Sequence, residues 1–244
     1  YWEKFSKQLS HSKKEVHKEI AKQLSGLRVT EEMVKEATKE FGEDPKKWTE
    51  KELLKLATEL RKKSKPMIIA ANKIDIQGAE ENLKRLQKEF SNYKIMPCSA
   101  EAEVALKEAA KHNLIDYIPS ENNFKIKEKL NEKQEKALEF IKKNILNKFG
   151  STGAQQIIDY ITFNVLKRIA IHPVGMPKLE DSDRRVLPDC FLMPDGSTAL
   201  ELAYRLHTDF GKNFIKAIDI KTKKIVGKDH KLKHLDIIEF MIKK

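Results

Sequence analysis

Four residues at the end of an apolar run, Asn72-Lys73-Ile74-Asp75, have the types and spacing to read a purine. An aspartate carboxylate accepts both the N1–H and the exocyclic N2–H of guanine, whereas adenine offers neither donor in that place. Two charge-assisted bonds of about 1.5–3 kcal/mol each set a preference of several kcal/mol, because a mispaired carboxylate is left desolvated. The Lys73 stem can lie along one face of the base, and the Asn72 amide can bond the purine and brace neighbouring loops. Further on, Ser99-Ala100 ends a second apolar run, and the Ala100 N–H is expected to point at guanine O6. The competing reading is a plain βα turn in which Asn72 and Asp75 serve only as turn and cap residues.

The elements around these residues follow from periodicity. Met67 to Ala71 is continuously apolar, as expected for a strand covered on both faces. Ala79 to Phe90 reads as an amphipathic helix, and Tyr93 to Cys98 as a second strand. Strand, helix and strand in about thirty residues make a βαβ unit with a parallel sheet, and ligands on such sheets sit beyond the carboxyl ends of strands. Both Asn72 to Asp75 and Ser99-Ala100 fall there.

Residues 1–64 read as helix throughout. Phe5, Leu9, Val16, Ile20 and Leu24 share one helix face, closed by Ser25-Gly26. Met33, Val34, Ala37 and Phe41 outline a second helix after Thr30, ended by Gly42. Thr49 and Glu52 form a capping box for a third, with Leu53, Leu56, Ala57 and Leu60 as its stripe. Trp48 and Phe41 read as packing. After residue 100 the pattern returns to helix over Val104 to His112, Glu132 to Lys148 and Gln155 to Arg168, with Gly150 as a stop and Thr152 with Gln155 as a capping box. From Ile169 on, short strands with one helix form a small α+β unit, its start punctuated by Pro173, Pro177 and Pro188.

A formal charge of +11 favours a polyanionic partner, because neutralised phosphates release counterions. The same lysines, interspersed with glutamates on helix faces and joined to a low glycine content, also suit a highly charged, heat-tolerant surface. No apolar run approaches the roughly 18 residues a membrane span needs. Two cysteines, Cys98 and Cys190, without metal-ligand spacing fit a reducing cytosol. The chain begins at Tyr1 and reads as a piece of a longer one.

Other chemistry finds little support. The phosphate-loop pattern G-x-x-x-x-G-K-[ST] does not occur in these 244 residues. Gly150-Ser-Thr-Gly153 imitates the loop with which KH domains clamp RNA, but the flanking strands of that fold are missing. His230 and His234 lack a third zinc ligand, His11 and His17 sit on different helix faces, and no nucleophilic triad can be assembled. The pairs Glu31-Glu32 and Glu80-Glu81 suit helix N-termini.

Asn72 to Asp75, Ser99-Ala100, the Phe149 to Gly153 junction and the closing stretch Val186 to Asp209 together resemble the archaeal YchF proteins of the Obg-like P-loop GTPases. The resemblance implies an α/β fold. Residues 1–64 would be a helical insertion of the GTPase domain, 65–125 its base-binding half on a parallel sheet, 126–168 a joining helical segment and 169–244 a ubiquitin-like β-grasp (TGS) domain. It implies GTP bound by Asn72, Lys73, Asp75, Ser99 and Ala100, with the phosphate loop and Mg2+ ligands upstream and no hydrolytic residue in this chain. The intact protein would hydrolyse GTP slowly as a cytoplasmic, ribosome-associated factor, with ribosome or ribosomal RNA as partner, no membrane contact and no DNA specificity. The chain alone would be inactive. The competing class is a docking module that binds ribosomes or RNA without nucleotide. In the terminal unit Thr198 and Glu201 cap the helix, and Tyr204, His207, Thr208 and Asp209 match the TGS signature. Leu235 stands where the family usually has Gly.

Overall fold

The computed structural model describes residues 15–174, 179, 185–187 and 189–243. Phe5, Leu9, His11, Pro177 and Pro188 lie outside these. The described residues form two compact units, divided between 1–71 with 80–96 and 72–79 with 97–244. This division crosses the 65–125 segment and assigns Asn72 to Asp75 and Ser99-Ala100 to the same unit.

In the first unit, helices α1 (Val16–Gln23), α2 (Glu31–Ala37) and α3 (Glu50–Ser64) pack around Ile20, Val34, Trp48, Leu56 and Leu60. Burial of each of these side chains contributes about 1.5–3 kcal/mol before entropy is counted. Trp48 does pack, edge-on to Phe41 at 5.2 Å, with its indole N–H donated to the Gly42 carbonyl at 2.7 Å. The Thr49–Glu52 capping box forms as expected. Helix α2 stops at Ala37, short of Phe41, and the buried Thr38 hydroxyl returns to the Val34 carbonyl at 2.8 Å. That back-bond gives the chain an alternative to continuing the helix.

Strands β1 (Ile68–Ala71) and β2 (Lys94–Pro97) pair as a two-stranded parallel sheet, joined by α4 (Ala79–Glu89). The expectation that Met67 to Ala71 is covered on both faces is not met. Ile68 and Ile69 are half-buried, Ala70 is exposed and Met67 is 48% exposed, because only β2 pairs with β1 among the described residues.

The second unit begins with the Asn72–Ala79 turn and continues into α5 (Ala100–Lys111) and the short hairpin β3 (Ile115–Asp116) and β4 (Lys125–Ile126). Helix α6 (Glu132–Ile141) runs through a π-helical turn at Lys142–Leu146 into α7 (Asn147–Phe149). Leu106, Ile115, Leu138, Ile145 and Leu146 close the core between these elements. Gly150, at φ +77°, stops the helix in the left-handed conformation that glycine adopts without steric cost. Helix α8 (Ala154–Asp159) and a second π-helical turn at Tyr160–Val165 lead into β5 (Arg168–Val174).

The remaining elements are β6 (Phe191–Pro194), α9 (Ala199–Leu206), α10 (Thr208–Lys212), β7 (Phe214–Asp219), β8 (Lys224–Val226) and β9 (Asp236–Ile242). The sheet order is β6-β5-β9-β7-β8, with β5 and β9 parallel and the other pairs antiparallel. Helix α9, started by the expected Thr198–Glu201 capping box, sets Ala199 and Leu202 against Ile171, Ala217 and Ile238. Leu235 adopts φ +66° and donates its N–H to the Ala170 carbonyl at 2.7 Å. The turn therefore keeps the geometry that glycine would favour, at a cost of about 1–2 kcal/mol for a residue with a Cβ. Among the described residues no helix is long and apolar enough to cross a membrane.

Candidate guanine-reading site

The turn after β1 is anchored by its buried apolar member, Ile74. Ile74 is 4% exposed, and its N–H donates to the Cys98 carbonyl at 3.1 Å, drawing the turn against the chain that follows β2. Lys73 pays for this with a left-handed backbone at φ +64°, uncommon for a residue with a Cβ. Such strain persists only where the surroundings impose it, and it clusters at binding sites. With Ile74 turned inward, Asn72 and Lys73 are exposed and Asp75 is half-buried.

Ser99 and Ala100 come to meet them. The Ser99 hydroxyl donates to Asp75 Oδ1 at 2.7 Å and, as the N-cap of α5, accepts the Ala102 N–H at 3.4 Å. The Ala100 N–H donates to Asn72 Oδ1 at 3.0 Å. This is the N–H that the sequence places toward guanine O6, and in the structure it is engaged by Asn72. With Oδ1 turned to Ala100, the Asn72 NH2 group becomes the donor on the opposite side of the amide. Four of the five residues singled out from the sequence, Asn72, Asp75, Ser99 and Ala100, thus meet through two hydrogen bonds spanning 24 and 28 residues, and Lys73 lies in the same turn.

Beneath them lies a polar cluster that the sequence reading missed. Glu103, 5% exposed, accepts the Tyr117 hydroxyl at 2.8 Å and the Thr152 hydroxyl at 2.6 Å on one oxygen, while its other oxygen faces the Lys107 ammonium at 3.2 Å. Burial, with the Glu103 carboxylate beside it, pushes the Tyr117 phenol above its usual range. Burial and Glu103 also raise the Cys98 thiol, which disfavours the reactive thiolate. The signal for Glu103 was helical phase: it lies three residues before Leu106, which is fully buried, whereas Val104 is 60% exposed.

The expected Thr152–Gln155 capping box does not form. Gly153 is the N-cap of α8, and the Thr152 hydroxyl goes to Glu103 instead. Ser151 and Thr152 are 2% and 1% exposed, so this junction is folded into the core and is no open RNA clamp. His234 accepts the Ala170 N–H on Nδ1 at 3.1 Å and packs edge-on to Phe163 at 4.8 Å, a structural histidine. Among the described residues no three acidic, histidine or cysteine side chains are grouped to hold a metal ion.

Residues 70–175 match the model for the Obg-like GTPase YGR210-like, G4 motif-containing domain, and residues 180–242 match the TGS domain. An uncharacterized GTP-binding protein of Methanocaldococcus jannaschii is 46% identical over 243 residues, covering 98% of this chain and 61% of that protein. GTPase Obg of Acetivibrio thermocellus is 54% identical over 46 residues, 18% of this chain and 11% of its own length. The crystal structure of a GTP-binding protein from Pyrococcus horikoshii matches with a TM-score of 0.70 and 40% identity, over 99% of this chain and 65% of that one. The chain thus spans less than two thirds of these longer relatives.

Proposed function

We propose, from the premise that the chain joins the G4-motif-containing domain of the Obg-like GTPases to a TGS domain, that Asn72, Lys73, Asp75, Ser99 and Ala100 read the guanine base of GTP. The observation that carries this reading is the 2.7 Å bond from the Ser99 hydroxyl to Asp75 Oδ1. It holds the carboxylate in one orientation at the strand ends, ready to accept N1–H and N2–H together. The Asn72 NH2 supplies the donor for a purine ring nitrogen, and the Lys73 stem covers one face of the base. Ala100 acts by orienting Asn72.

In this reading phosphate binding, Mg2+ and hydrolysis belong to the whole protein, and no residue of this chain is assigned to them. Calorimetric titration of the full reading frame that contains the chain should give a Kd for GDP at least about a hundredfold below that for ADP, the worth of two charge-assisted bonds. Equal affinities would remove the base-site assignment.

The intact protein would act in the cytoplasm on the ribosome or its RNA, a role suited to the +11 charge and the terminal TGS domain. Co-sedimentation with ribosomal subunits should be strong at low salt and fall steeply across a salt series. Absence of co-sedimentation at low salt would refute this partner. The +11 charge by itself equally suits a second reading, a nucleotide-independent docking module. Co-sedimentation without guanine preference would select it.

A further inference from the structure

The geometry points to Thr152 and Glu103 as positioning residues that set how faithfully Asp75 reads guanine, an inference that rests on the base-site reading above. Ser99 is the link. Its hydroxyl hydrogen goes to Asp75 Oδ1 at 2.7 Å and its N–H to the Thr152 carbonyl at 2.8 Å. Thr152 is held in turn, because its hydroxyl donates to Glu103 at 2.6 Å, and Tyr117 binds the same carboxylate oxygen at 2.8 Å. The Glu103 N–H returns to the Ser99 carbonyl at 3.2 Å, so Ser99, Thr152 and Glu103 close a ring of hydrogen bonds.

Every member of that ring is buried, with Ser99 and Thr152 at 1% and Glu103 at 5% exposure. A buried carboxylate persists only with its bonds made, and in a low local dielectric such a network resists distortion. Gly153 fixes the same junction from its other side: a Cβ there would lie 2.1 Å from the Pro97 carbonyl oxygen, two residues before Ser99. Neither Thr152 nor Glu103 belongs to the base-contacting set. They act through the orientation of Ser99, and a carboxylate that must meet two donors at once tolerates displacements of only about 0.5 Å.

The test compares GDP with IDP, which lacks the exocyclic N2 amine, by calorimetry on the full reading frame. The ratio of the two Kd values reports the second Asp75 bond and does not depend on the fraction of folded protein. Thr152→Val should lower the GDP-over-IDP preference about fivefold, the worth of one hydrogen bond. Thr152→Ser, which keeps the hydroxyl, should retain the wild-type ratio. Tyr117→Phe leaves the Thr152–Glu103 bond in place and should lower the preference about twofold; it carries the test if Thr152→Val does not fold. Unchanged ratios in Thr152→Val and Tyr117→Phe, or a change in Tyr117→Phe alone, would overturn the positioning role. A wild-type protein with no GDP-over-IDP preference would instead refute the base-site reading itself.

Discussion

Replacing Asp75 with asparagine in the full reading frame is expected to weaken GDP binding roughly a hundredfold or more and to improve XDP binding, with folding unaffected. The direction follows from Ser99. Its hydroxyl donates to Oδ1 of residue 75 at 2.7 Å, so an asparagine there would keep its carbonyl oxygen toward Ser99. Its NH2 group would then face the base, where guanine presents N–H donors. One charge-assisted bond is lost and a donor meets a donor, together about 3 kcal/mol. Xanthine carries a carbonyl oxygen in place of the N2 amine, which turns the same arrangement into a match. Titration of Asp75→Asn with GDP and XDP checks both halves. Undiminished GDP affinity without any gain for XDP would mean that Asp75 is only a turn residue.

The largest expected effect on stability comes from Gly153→Ala. Gly153 sits at φ +82°, a conformation that costs about 1–2 kcal/mol once a Cβ is present. The added Cβ would also lie 2.1 Å from the Pro97 carbonyl oxygen, and backbone cannot give way as a flexible side chain can. Overpacking of this kind adds about 1–3 kcal/mol, so a total loss near 3 kcal/mol is expected. Gly150→Ala is the built-in control. Gly150 shares the left-handed backbone at φ +77° but has open space around its Cα, and should lose only about 1 kcal/mol. Urea denaturation of the chain and both variants separates these cases. Equal losses would show that the close approach to Pro97 is relieved by local movement.

Where sequence reasoning succeeded, the cause and the effect lie within one turn of chain. The boxes Thr49–Glu52 and Thr198–Glu201 formed because each cap needs only a partner three residues away. The stop at Gly150 required only a left-handed residue. Where it failed, a distant partner won. Thr152 had a local capping partner in Gln155, yet its hydroxyl went to Glu103, 49 residues earlier in the chain, because a buried carboxylate loses more by lacking donors than a helix end loses by lacking one cap. The half-exposed β1 followed from its having a single neighbour among the described residues, which apolar content alone does not reveal.

The chemistry of the candidate site was therefore set by residue type. A carboxylate, an amide, a lysine stem and a serine at two apolar strand ends can be read off the sequence, because donor and acceptor identity is a property of each side chain. What only the tertiary structure decided was their mutual aim. Ile74 turning inward, Ser99 bonding Asp75, Asn72 bonding Ala100 and Glu103 holding Thr152 from beneath all depend on segments brought together by packing, and no local period encodes which buried polar group will claim which donor.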